Sequence, residues 1–324
     1  MRISPAMRLT TLLALCACAT PPPQAAAADA HSFPTVTAPS PPAPAPPPGA
    51  SAPLLPDQPT LTPAQSTAEA DRLRTALAAE VPHLLILSPD AKQAWINRAK
   101  AQAAAANLQI DRPQLVVVVD RNPRVQSLLI MVANPSTPGP PTPGPAASWE
   151  VIGGTHVSTG QPNRKLYYVT PTGVFLHTAD ILDFRAQGTF NENHIRGYGL
   201  KGMRIWDFGW QWATKGWRPD GERGQIRLQL HATDPQYLEQ RLGRPASEGC
   251  VRVPATLNRF LDRHGVLDVD YEQQATQDIR YRALLLADRR PSPLSRHTLI
   301  VIDSSGTANW PSRLSPPSSR PDLP

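Results

Sequence analysis

The chain has 324 residues with a formal net charge of +6, and 39 of its residues are Pro, against a usual share of about 5%. So much Pro excludes a chain packed into a core along its whole length, and the length allows one to two ordinary domains. The basic excess suits an anionic partner without choosing among cell-wall polymer, lipid headgroup and nucleic acid.

Met1-Arg2 and Arg8 supply a short positive region, and the uncharged run Leu9 to Ala19 an apolar one. This pattern predicts a secretory signal, too short for a membrane-spanning helix of roughly 20 residues. Leu15-Cys16-Ala17-Cys18 resembles a bacterial lipobox, which marks Cys18 for lipidation and residues 1–18 as the signal peptide. Cleavage at an Ala-x-Ala site within positions 25–30 is the rival, and it would release the protein unanchored. Either way the expectation is export to the periplasm, with a possible outer-membrane lipid anchor. Cys16 and Cys18 then belong to the signal, and the exported body keeps Cys250 alone. A lone thiol in an oxidising compartment is either buried and inert or held for its chemistry.

Residues 19–65 are Pro, Ala, Ser and Thr with almost no large apolar side chain. They bury too little surface to offset chain entropy and predict a disordered, extended tether. A helical segment is expected over 66–110. Its first helix opens with a Ser66-x-x-Glu69 capping box and carries Leu73, Leu77 and Val81 on one stripe, and its second starts at Ser88-Pro89 and fades at Asn107. From Gln114 the pattern turns to β. Leu115 to Val119, Val125 to Val132 and Trp149 to Val157 read as strands, with a Pro/Gly-rich surface loop at 134–145. Ile226, Leu228 and Leu230 alternate with Arg227, Gln229 and His231, which sets His231 on the polar side of a strand near its end. The segment from His297 to Asp303 is expected to pack back on the sheet.

The chemistry concentrates in His231-Ala232-Thr233 and Ser247-Glu248-Gly249-Cys250-Val251-Arg252. A thiol attacks well as thiolate and needs a base or an electropositive site to reach that form. A loop joins His231 to Cys250 and is long enough to fold imidazole back towards sulfur. Gly249 permits close backbone approach before the nucleophile, and the Gly249 and Cys250 amides are candidate oxyanion donors. Arg252, two positions on, shares the face of Cys250 in an extended segment and suits a substrate carboxylate. The eight His form no close ligand pairs and no Gly-rich phosphate loop is present, so neither a metal nor a nucleotide cofactor is implied. Export argues against nucleic acid.

At these residues the chain resembles the L,D-transpeptidase catalytic-domain family, whose signature is an upstream His, a loop, and Ser/Thr-His-Gly-Cys followed by a hydrophobic residue and often Arg. Val157-Ser158-Thr159-Gly160 and Thr170-Pro171-Thr172-Gly173-Val174-Phe175 are similar to its strand-and-turn elements. The resemblance implies a mainly β, sandwich-like catalytic domain with short helices over 111–275; beyond it a C-terminal extension is expected over 276–310 and a disordered tail over 311–324. It implies Cys250 as nucleophile, His231 as base oriented by the Ala232 carbonyl, and peptidoglycan stem peptides as substrate. A hydrolase of the same fold and a non-catalytic wall-binding module remain open beside the transpeptidase. Ser247 and Arg252 join the implied substrate-binding set. The aromatic segment Phe184 to Trp217 corresponds to a lid, with Tyr198 and Met203 near its tip. Glu248 departs from the pattern, standing where the family has its second His, and a hydrogen bond to Arg244 or Arg252 is one role open to it.

Overall fold

The structure is a computed structural model that describes residues 59–135, 149–307 and 310. The expected signal peptide, Cys18, the tether as far as position 58, most of the Pro/Gly-rich loop and the tail beyond Trp310 lie outside those residues. No helix among the described residues is long and apolar enough to cross a membrane.

α1 (Pro63–Glu80) begins earlier than the Ser66/Glu69 pair suggests. Thr62 is its cap, with Thr62 Oγ1 accepting from the Gln65 amide and Gln65 Oε1 accepting from the Thr62 amide at 2.9 Å. Pro63 lacks the amide that a first-turn residue leaves unpaired in any case, so the earlier start costs nothing. α2 (Pro89–Ala105) starts as expected from Ser88, whose hydroxyl accepts from the Ala91 amide at 3.1 Å.

The strands follow as β1 (Gln114–Asp120), β2 (Ser127–Ala133), β3 (Glu150–His156), β4 (Tyr168–Val169), β5 (Gly173–Leu176), β6 (Phe184–Arg185), β7 (Arg204–Lys215), β8 (Arg223–Ala232) and β9 (Val251–Val253). Three short helices, α3 (Ala255–Arg263), α4 (Val269–Gln274) and α5 (Ile279–Leu284), lead to β10 (Thr298–Ile302). One sheet runs β3-β2-β1-β10-β5, the other β4-β7-β8-β9 with β6 paired to β7. β10 lies parallel to β1, with Val118 opposite Ile300, and antiparallel to β5. The segment expected as an extension therefore supplies an inner strand.

β1 is buried along its whole length because both faces of its sheet are covered. Leu115, Val117 and Val119 meet Trp206, Leu228, Leu230 and Val251 from the second sheet. Val116 and Val118 meet Trp95 and Ala99 of α2 together with Ile300 and Ile302. Leu73 and Leu77 of α1 join the core between the sheets. The result is a sheet-rich, sandwich-like fold with α2 as an outer layer. It leaves the outer face of the second sheet free for polar side chains.

Candidate active site

β9 runs parallel to β8, pairing Leu230 with Val251 and His231 with Arg252. Cys250, one residue before β9, therefore comes beside Gln229, whose backbone amide hydrogen-bonds its sulfur. Leu230 and Val251 point into the core, so Gln229, His231, Cys250 and Arg252 share the outer face, and His231 and Cys250 sit diagonally across two adjacent strands.

The turn into β9 is built for that placement. Gly249 has φ +137, and a Cβ there would stand 2.7 Å from Ile226 Cδ1. Its carbonyl accepts from Thr170 Oγ1 at 2.7 Å, and the same hydroxyl accepts from the Gly160 amide at 2.8 Å. Ser247 Oγ donates to the Cys250 carbonyl at 2.5 Å and accepts from the Gly249 amide at 3.2 Å. Ser247 is thus a buried brace of the turn and not a wall of the cleft. Its hydroxyl occupies the Gly249 amide, leaving the Cys250 amide as the remaining member of the expected oxyanion pair.

Cys250 is half-buried in a cleft of about 610 Å³. Leu166, Tyr168, Phe184 and Ile226 give the cleft its apolar wall, and Tyr198, Asp207, Arg227, Gln229 and Glu248 its polar one. The thiol donates to the Arg227 carbonyl, with sulfur and oxygen 3.6 Å apart. Tyr198 donates its hydroxyl to Gln229 Oε1 at 3.1 Å and sets its ring edge-on to His231, with centroids 4.7 Å apart. His231 is buried beneath that ring. Its Nδ1 lies 2.7 Å from the Ala232 carbonyl, so Nδ1 carries the proton and Nε2 is the basic atom.

Burial first, then the charge of Arg252, pulls the His231 imidazole down to about 3 against the favourable Ala232 carbonyl. Burial likewise pushes the Cys250 thiol up to about 11, with Asp207 and Glu248 adding to the rise and the Gln229 amide and Arg252 opposing it. At neutral pH the two groups therefore rest as thiol and free imidazole, not as an ion pair. Among the described residues no hydrogen bond joins Nε2 to the sulfur, since the thiol bonds to the Arg227 carbonyl and His231 lies beneath Tyr198, off the cleft wall. Acyl transfer from this state needs thiol and imidazole to come together and the proton to leave as the carbon–sulfur bond forms.

Arg252, expected to meet a substrate carboxylate, instead donates from Nη1 to the Ala246 carbonyl at 3.2 Å and lies off the cleft wall. Met203, expected near the lid tip, is buried with Ala186, Ile205, Ala232 and Ala255. Much of the predicted lid is in fact β7, whose pairing with β8 makes it a body strand, with Trp206 fully buried and only Trp210 and Trp212 turned outward. Tyr198, by contrast, does line the cleft. Glu248 is exposed on its wall, and among the described residues it forms no ion pair with Arg244 or Arg252.

Sequence reasoning passed over Asp207. This buried carboxylate accepts from Arg227 Nε at 2.7 Å and Gln229 Nε2 at 2.9 Å. Its own amide donates to Asp183 Oδ1 at 3.2 Å. Asp183 belongs to a fully buried network in which its other oxygen meets His177 Nε2 at 2.7 Å and Arg204 at 3.0 Å, and Arg204 also meets Asp268 at 3.1 Å. His177 Nδ1 faces the Leu267 carbonyl at 2.8 Å, so both of its nitrogens meet acceptors and the ring is cationic there. Two cations thus balance two carboxylates behind the cleft.

No family model matches the chain, and no curated protein does. Among solved structures, L,D-transpeptidase 3 from Mycobacterium tuberculosis is similar at 17% identity, over 59% of this chain and 62% of that one, with a TM-score of 0.23. The chain spans less than two thirds of that protein, and an overlap so loose carries no weight for the chemistry, which stands on the cleft's own residues.

Proposed function

We propose that this protein is an exported cysteine acyltransferase of the cell envelope, an L,D-transpeptidase acting on peptidoglycan stem peptides. The observation that carries the proposal is a half-buried thiol in a cleft, diagonal on one sheet face to a histidine whose Nδ1 proton is tied to a carbonyl and whose Nε2 is left unprotonated. The order of motifs around His231 and Cys250 supports the substrate class. The charged-then-apolar N-terminus and the box ending at Cys18 support export and lipid anchoring.

In this mechanism His231 Nε2 takes the thiol proton as sulfur adds to the carbonyl carbon of a meso-diaminopimelate residue. The Cys250 amide faces the developing oxyanion. Collapse breaks the carbon–nitrogen bond, and the imidazolium returns its proton to the departing D-Ala amine. An amine of a second stem peptide then attacks the thioester, forms the new amide and releases the thiol. Burial first, and then the Arg252 charge, keep His231 unprotonated between steps and make it a weak base, so it takes the thiol proton only as the carbon–sulfur bond forms.

The test is muropeptide analysis after purified protein is incubated with sacculi. The expected product is new crosslinks that disappear in Cys250→Ser. Trimmed stems without crosslinks would make water the acceptor and the protein a hydrolase. Binding without any product would leave a wall-binding module and overturn the acyl-transfer reading.

A further inference from the structure

We infer that Arg227 is a carboxylate-binding, specificity-determining residue of the cleft, and that the group bound beside Cys250 carries a free carboxylate. The nature of the substrate here rests on the acyl-transfer reading, whereas the anion site itself does not.

Arg227 stands on the outer face of β8, and its side chain is 44% exposed where it lines the cleft. An exposed arginine paired with a mobile surface carboxylate would mean little. This partner is neither mobile nor exposed. Asp207 is 2% accessible, and its Oδ1 accepts from the Gly209 amide at 2.8 Å. Its Oδ2 accepts from both Arg227 Nε and Gln229 Nε2, and its backbone is tied to Asp183. The guanidinium plane is therefore held by its Nε edge, which leaves the two Nη atoms as a fork without a protein acceptor among the described residues. Such a planar fork matches a carboxylate with two parallel hydrogen bonds.

Arg227 and the nucleophile line the same cleft, and the Cys250 thiol donates to the backbone carbonyl of this same residue. Arg252 is turned to the Ala246 carbonyl, and the other charged groups on the cleft wall, Asp207 and Glu248, are acidic. Arg227 is thus the cation of the cleft wall among the described residues. A bound peptide offers the carboxylate from one of two places: the C-terminus of the leaving residue, or the free carboxylate on the acyl-donating diamino acid.

The anion site is tested without any peptide by alkylating Cys250 with iodoacetate and with iodoacetamide and taking the ratio of the two rates. Loss of a charge-assisted pair predicts that the iodoacetate-to-iodoacetamide ratio falls about tenfold in Arg227→Gln. Taking the ratio cancels any change in thiolate population common to both reagents, circular dichroism checks that the variant is folded, and Arg227→Lys should give an intermediate ratio. An unchanged ratio in Arg227→Gln overturns the assignment. The substrate arm compares a stem tetrapeptide with two single carboxamides, one at the leaving residue and one at the diamino acid. Whichever amide lowers kcat/KM in the wild type but not in Arg227→Gln identifies the carboxylate bound. If the wild type turns over both amides as well as the parent peptide, the specificity role is refuted. If it turns over no peptide, acyl transfer fails, and the alkylation ratio still decides the anion site.

Discussion

The imidazole of His231 is held neutral from two directions, by burial under Tyr198 and by the guanidinium of Arg252. Its folded value near 3 lies far below the ordinary 6.5, so as pH falls through 6.5 the unfolded chain binds a proton that the native ring refuses. Native stability is therefore lost from pH 6.5 downward towards 3. Each pKa unit corresponds to about 1.4 kcal/mol. His231→Gln should lose less stability than the wild type between pH 7 and pH 4, by about 3 kcal/mol in urea melts. Parallel losses in the two proteins would show that the ring is not held neutral. Arg227 and Gln229 were legible at this scale, because the alternation of β8 already set them on the face of His231. Asp207 was not, because nothing in a lone aspartate inside an aromatic run announces three donors converging on it. The misplacement of Arg252 has a similar cause: sharing a face with Cys250 does not fix where a long side chain ends.

At the scale of elements, the site depends on one turn and one irregular strand. Ser247–Cys250 can enter β9 only through the Gly249 backbone, φ +137, over the side chain of Ile226. In Gly249→Ala the backbone strain costs of order 1–3 kcal/mol, and the clash at 2.7 Å from Ile226 Cδ1 adds about 1–3 kcal/mol of overpacking. Ile226→Val removes Cδ1, so the double variant should recover stability relative to Gly249→Ala alone. Thermal melts of the four proteins check this, and simple additivity would contradict the contact. β7 carries the irregularity. Its register against β8 shifts between Asp207 and Trp210, and Gly209 adopts φ +75. That break interrupts the two-residue period, so no alternation marked the strand, and the lid was what the family resemblance implied for Phe184 to Trp217. Trp206 is apolar body with its Nε1 satisfied by Asp268 at 3.0 Å, whereas Trp210 and Trp212 lie beyond the bulge and face outward. By contrast β8 has no such break, and its two faces follow the alternation in the sequence, although Gln229 and His231 on the polar face are buried as well.

For the whole molecule, the layers show how segments far apart in sequence share one core. The β pattern and the return of the C-terminal strand were readable from β-branched runs and turn residues, whereas the sandwich-like fold was implied by the family resemblance. That β10 would lie between β1 and β5 was not, because a parallel partner so distant in sequence leaves no local signal. The helices expected as a separate segment supply core on both sides of the first sheet, Leu73 and Leu77 on one and Trp95 on the other. A chain truncated before Thr298 should therefore lose cooperative unfolding, since it strips an inner strand and bares β1 and β5. Circular dichroism during thermal unfolding tests this, and a sharp native-like transition would show the strand to be dispensable.

All these scales meet at one sulfur atom, whose reactivity is best followed by intact-mass measurement after exposure to a carbapenem, a β-lactam whose ring carbonyl the thiol can open. The wild type is predicted to gain a single adduct that maps to Cys250. Cys250→Ser should gain none, and His231→Gln should acylate more slowly by about 10²–10⁴-fold, the usual worth of a positioned base. An unlabelled wild type, or an adduct that persists in Cys250→Ser, would contradict the account.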